Sequence, residues 1–215
     1  RGTALAALGS AAIAVPLGLL LAFGRLSRHR ALRWPSTAVI EFFRAVPVLL
    51  IIYVFMFALP QYGINPSTFW KLVVPIGLCA AAVLAEVFRA GVLAIPRGQT
   101  EAGYAIGLPE GRALRIVVFP QALRLVVPSL VAQAVVVVKD TAFGYVVSYP
   151  ELMQSGKVLV ANTGDLVQTY FVITVIYVLV NLSISAVAQR LEKRLNGRQG
   201  ATIALLPRLR RQPLA

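Results

Sequence analysis

Ile95-Pro-Arg-Gly-Gln-Thr-Glu-Ala-Gly-Tyr-Ala-Ile-Gly-Leu-Pro-Glu-Gly-Arg-Ala-Leu-Arg-Ile-Val-Val-Phe-Pro120 is a polar segment, punctuated by Pro and Gly, set between two strongly apolar stretches. Stretches of that length and hydropathy read as membrane spans. The segment between them is therefore a structured, charged loop on one face of a bilayer, which makes it a docking surface rather than a simple connector.

Composition agrees. Of 215 residues, 58% are hydrophobic and only 13% are Asp, Glu, Lys or Arg, against roughly 25% in soluble domains. Mean hydropathy is +0.77. A soluble domain could not hide so much apolar surface. The net charge of +13 is not spread evenly. Arg25, Arg28, Arg30 and Arg33 share one loop. Arg97, Arg112, Arg115 and Arg124 lie in or beside the opening segment. Arg190, Lys193, Arg194, Arg198, Arg208, Arg210 and Arg211 lie toward the C-terminus. The connections near Pro60–Phe69 and Pro150–Gln168 hold only Lys157, with Lys71 just past the first. This alternation is the positive-inside pattern. Nucleic-acid binding would call for basic residues interleaved with stacking aromatics, and the basic tail has none.

Five spans follow, near residues 4–23, 40–59, 69–94, 123–149 and 170–187. They form an all-α transmembrane domain over 1–195, and 196–215 is a basic, disordered cytoplasmic tail near anionic lipid. Trp70 sits as an interfacial anchor of the third span. The arginine-rich loops place Arg1 outside and Ala215 inside. The chain is already apolar from Ala4, which reads as an N-terminally trimmed chain without a signal peptide.

Within the segment, Gly98 to Ile106 suits a short helix. Gln99 and Glu101 are near its N-terminus, where negative charge is favoured. Gly107 ends it, as glycine does at the C′ position, and Pro109 opens the next turn. Small residues Ala102 and Gly103 leave room for a partner to pack closely.

Glu101-Ala102-Gly103, three residues, Gly107, nine residues and Val117-Val118-Phe119-Pro120 resemble the EAA motif of the membrane subunits of bacterial ABC importers. Gly103 stands where Ala is usual, and Val117 and Phe119 replace Ile and Leu. Further pieces look like the polar-amino-acid branch and, within it, the glutamate-type group: Glu41-Phe42-Phe43-Arg44 with Pro47, Glu86 with Phe88-Arg89 and Gly91, Ile95-Pro96 with Gly98-Gln99, Pro120-Gln121-Ala122 with Arg124, and Lys139-Asp140-Thr141. The resemblance covers roughly Thr3 to Leu195. It implies a type I importer permease fold in the bacterial plasma membrane. It also implies that Gly98, Gln99, Glu101, Ala102, Gly103, Gly107 and Pro120 belong to a loop that docks on a cytoplasmic ATPase. The implied partners are a second permease subunit, two ATPase subunits that hold ATP and Mg, a binding protein outside the membrane, and an amino-acid substrate. This chain itself would bind no cofactor or metal.

Charges at membrane depth are the other candidates. Each costs about 2.5–3.5 kcal/mol on insertion scales, while an apolar neighbour returns only about 0.3–0.6. Glu86 and Arg89, at i and i+3, can pair on one helix face. They read either as a structural ion pair near the inner interface or as an element of a gate or substrate pathway. Glu41 and Arg44 repeat the spacing at the start of the second span, where a structural role suits them better, and Pro47 kinks or opens that helix. Lys139 and Asp140, with Thr141 next, are an outer-interface pair if the fourth span ends there. If it continues they lie deeper, and the resemblance places them close to the translocation pathway.

There is no G-x4-G-K-[ST] nucleotide loop, no nucleophile–base set, one His (His29) and one Cys (Cys79), so an enzyme has little support. An ion-gradient carrier, the alternative, would show inverted repeats and broken midplane helices. A membrane scaffold that only binds partners is separated from both by whether uptake needs the chain and needs ATP.

Overall fold

The computed structural model describes the backbone of residues 1–204 and side chains as far as Arg190. All regular structure among the described residues is helical. Two long apolar helices form its centre, α1 (Gly2–Leu26) and α5 (Thr68–Leu93). α1 turns a stripe of small residues inward, Ala6, Ser10, Ala14, Gly18 and Ala22, at the i, i+4 spacing of one helix face. Small residues let two backbones approach closely in a membrane, where burying apolar side chains alone gives little drive. α5 accepts that stripe: a Cβ on Gly77 would stand 2.9 Å from the Ile13 Cβ. The Ser10 hydroxyl, fully buried, donates to the Val73 carbonyl at 3.3 Å.

Leu72, Val73, Ile76, Ala81, Ala85 and Phe88 are among the residues α5 gives to the core, more than any other helix gives. In its apolar window α5 is 61% buried, against 22% for α1 and 11% for the last span. α5 is thus the central post, and the last span presents its apolar side chains outward. Phe171, Leu179 and Leu182 are among those exposed.

The expected second span, 40–59, is not one straight helix. α2 (Arg30–Ala45) ends at Val46, whose extended backbone (φ −90, ψ 128) is the conformation forced on a residue before proline. α3 (Val48–Tyr53) then starts at Pro47 and continues through a π-helical turn, Val54–Ala58, into α4 (Leu59–Gln61). The two arms meet at 97°. Pro47 therefore breaks the run and opens its second arm, the second of the two effects expected of it.

Beyond α5 lie α6 (Arg97–Ala105), α7 (Glu110–Ala113), a π-helical turn (Leu114–Val118) and α8 (Phe119–Asp140). Both π turns come immediately before a residue and its following proline, Leu59-Pro60 and Phe119-Pro120. A proline ring clashes with the carbonyl four residues back, and a widened turn relieves that clash.

The fourth span differs from the expected 123–149. The helical run begins at Glu110, α8 ends at Asp140, and a 3-10 turn (Thr141–Tyr145) closes it. α9 (Leu152–Thr163) follows, then α10 (Leu166–Ala204), which begins before the expected 170 and runs past the expected domain end at 195. The rest of the expected disordered tail, residues 205–215, lies outside the described residues.

Candidate functional site

α6 has the capping its sequence demands. The Gly107 N–H donates to the Tyr104 carbonyl at 2.9 Å, and the Leu108 N–H reaches back to Gly103 at 3.1 Å. That pair of bonds is the Schellman motif, and it requires the left-handed φ of +79 that Gly107 adopts. Pro109 then caps α7.

The helix so closed presents Gly98, Gln99, Glu101 and Ala102 to solvent and buries Gly103. Ile106 is 76% exposed and Tyr104 is also exposed. An exposed apolar pair on a polar, membrane-flanking helix suits protein docking, and the sequence reading missed both. The signal was present: two large apolar residues in a helix otherwise made of Arg, Gly, Gln, Thr, Glu and Ala.

Two polar contacts tie this loop to the membrane helices. The Gln121 amide, near the start of α8, donates to Gln99 Oε1 at 3.1 Å and to the Val117 carbonyl at 2.8 Å. Arg28 meets Glu110 at 2.7 Å. Pro120 is exposed one residue from Gln121.

The two carboxylate–guanidinium pairs of the sequence reading are present and are joined. Arg89 bonds Glu86 at 2.9 Å, and Arg44 bonds Glu41 at 3.5 Å. Arg25, at the end of α1, bridges them. Its Nη1 lies 2.8 Å from Glu41 and 2.8 Å from Glu86. Five charges from α1, α2 and α5 thus form one network, with Glu86 at its least exposed point, its side chain 19% exposed. Arg25 had been grouped with its basic loop. Its partners lie 16 and 61 residues away in the chain, beyond the reach of local pattern.

Lys139 and Asp140 end α8. Lys139 is exposed and Asp140 half-buried, and no ion pair joins them. Consecutive helical residues do not face each other, which corrects their reading as a pair. The Thr141 hydroxyl is buried and donates to the Val138 carbonyl at 2.7 Å.

The other missed residue is Glu151, 2% exposed. Its carboxylate caps α9 by accepting from the Met153 and Gln154 N–H groups at 2.8 and 2.7 Å, and the Tyr177 hydroxyl donates to it at 3.0 Å. Burial raises the Glu151 carboxyl above the usual carboxylate range, although those hydrogen bonds pull the other way. Beside it the Tyr149 hydroxyl donates to the Gly2 carbonyl, and the Leu152 N–H to Thr3. An acid just after Pro150 and just before a helix was the available signal.

Residues 14–197 match the family described as binding-protein-dependent transport system inner membrane component. The chain is 34% identical to the glutamate transport system permease protein GluD of Corynebacterium glutamicum, over 90% of this chain and 72% of that one. It is 32% identical to the probable glutamine ABC transporter permease protein GlnM of Bacillus subtilis, over 83% of each. Its fold superposes on a solved amino acid ABC transporter with histidines at a TM-score of 0.84, with 27% identity over 90% of each chain. A methionine ABC transporter, MetNI, shares the fold at a TM-score of 0.72 and 23% identity. With four long apolar helices and one bent pair among the described residues, and a capped helical loop after α5, the chain belongs to the binding-protein-dependent inner membrane components, the permease subunits of ABC importers.

Proposed function

We propose that this chain carries an acidic amino acid, glutamate or aspartate, across the bacterial plasma membrane as one half of a permease pair, with its C-terminus in the cytoplasm. The observation that carries the coupling half of this reading is α6. It is a capped helix whose Glu101, Ala102 and Ile106 are exposed and whose Gln99 is hydrogen-bonded to α8. Such a helix can seat in a groove of a cytoplasmic ATPase and pass that subunit's movement to the spans. ATP and Mg are held by the ATPase, and a binding protein outside the membrane delivers the substrate. The glutamate assignment rests on GluD among the relatives. An ion-gradient carrier has no observation in its favour.

The pathway runs between two permease subunits, which rock about their interface. Lys139, exposed and without a carboxylate partner among the described residues, is placed to meet a substrate carboxylate, with Asp140 and Thr141 beside it. Glu86, Arg89, Glu41 and Arg44 serve instead to hold α1, α2 and α5 together. The test is glutamate-stimulated ATP hydrolysis and uptake by the purified complex in liposomes. Lys139→Ala raises the KM for glutamate while basal hydrolysis persists. Unchanged uptake kinetics in that variant would remove Lys139 from the pathway, and uptake without ATP would overturn the whole reading.

A further inference from the structure

At the end of α1 a cavity of about 410 Å³ is lined by Arg25, Leu26, Arg33, Trp34, Thr37 and Arg89. Three arginines line it, and among the described residues no carboxylate does. The neighbouring carboxylates do not use up the available donors. Arg25 meets both of its glutamates through the same Nη1, which leaves Nη2 and Nε. Arg89 gives Nε and Nη2 to Glu86, which leaves Nη1. Arg33 makes no ion pair among the described residues. Counted with Arg44, four arginines face two glutamates, Glu41 and Glu86, a surplus of two positive charges. Spare planar donors of this kind match the oxygens of a phosphate.

The surroundings supply the rest of a ligand. Trp34 is 71% exposed at the cavity's edge, and indoles favour the headgroup level of a membrane. α2, which carries Arg33, Trp34 and Thr37, turns 97° from the arm after Pro47, which fits a helix lying along the membrane surface. We propose that this cavity binds the phosphate of an anionic phospholipid headgroup at the inner leaflet, with Arg33, Arg25 and Arg89 as its donors and Trp34 against the glycerol and upper acyl region. The assignment to the inner leaflet rests on the orientation given under the proposed function.

The assembled transporter, purified in mild detergent and partly delipidated, is titrated with phosphatidylglycerol or phosphatidylcholine and read by native mass spectrometry. Phosphatidylglycerol is retained in preference, and Arg33→Gln weakens its retention about five-fold, the effect of one basic residue at a membrane surface. Replacing Arg208, Arg210 and Arg211 together by Gln leaves retention unchanged. Equal retention of the two lipids, no effect of Arg33→Gln, or a loss confined to the tail variant each overturns the proposal. Inorganic phosphate does not displace the lipid. Displacement by it, with no preference for the lipid, would assign the cavity to free phosphate and overturn the lipid assignment. Orientation is measured separately, by labelling His29→Cys in a Cys79→Ala background with an impermeant maleimide. Labelling in intact cells overturns the inner-leaflet reading while the detergent measurement still decides the lipid.

Discussion

Gly103 lies against Ala113: a Cβ on the glycine would stand 3.1 Å from the alanine Cβ, and both residues are buried. The departure from the usual Ala at this position therefore has a local cause. The volume that an Ala side chain would take at 103 is supplied by Ala113 on the facing helix α7. Folding α6 back onto α7 this closely leaves room for one methyl group between them.

A prediction follows for that pair. In Gly103→Ala the tight contact is offset by about 1 kcal/mol of helix propensity, and the variant is close to neutral. Gly103→Val cannot be accommodated and costs about 1–3 kcal/mol by overpacking. Ala113→Gly restores most of that loss. Thermal unfolding of the purified complex reads all three, and an additive double variant would show that the two residues do not share the space.

The Gln121 amide bridges α6 to α8, and a neutral hydrogen bond contributes about 1 kcal/mol, about five-fold in a coupled equilibrium. Gln99→Leu and Gln121→Leu each keep basal ATP hydrolysis but lower the substrate imported per ATP by up to that factor. Together they lower it no further than either alone. Unchanged stoichiometry in both single variants would limit this contact to local packing.

Glu86 and Glu41 separate by environment. Glu86→Gln leaves Arg25 and Arg89 facing each other, at a cost of about 2–4 kcal/mol. Glu41→Gln, at a site whose side chain is 52% exposed, costs about 0–1 kcal/mol. Unfolding midpoints of the two variants check the ranking, which equal losses would contradict.

Glu151 gives a pH dependence with a definite sign. Because its carboxyl titrates higher in the folded chain than in the unfolded one, the folded state holds the extra proton. Its stability contribution is full below the unfolded value, about 4.3, and declines as pH rises through the folded value. Glu151→Gln flattens the stability–pH profile over that window. A wild-type profile that climbs with pH there, and loses the climb in the variant, would reverse the assignment.

Local chemistry was legible from residues. Gly107 had to terminate α6 because only a left-handed residue closes that cap, and Glu86 and Arg89 had to pair because residues three apart share one helix face. Pro47 was legible as a kink or an opening of that helix, but the 97° between its arms depends on how α2 packs against the rest of the chain. What escaped was non-local. Arg25 joins helices whose charges are far apart in the chain, and Glu151 becomes buried only when α10 brings Tyr177 over it. Lys139 and Asp140 looked like a pair because they are adjacent, and helix geometry separates adjacent side chains.

The small-residue stripe of α1 has a consequence for synthesis. Ser10 and the Val73 carbonyl that receives its hydroxyl are 63 residues apart. At about 5–20 residues per second, roughly 3–13 s pass between the emergence of the two. During that time α1 has been inserted on hydropathy alone and has no mate for the face that will later be buried. A membrane chaperone or the insertion machinery holding α1 through that interval would meet Ala6, Ser10, Ala14, Gly18 and Ala22, and would have to release them when α5 arrives.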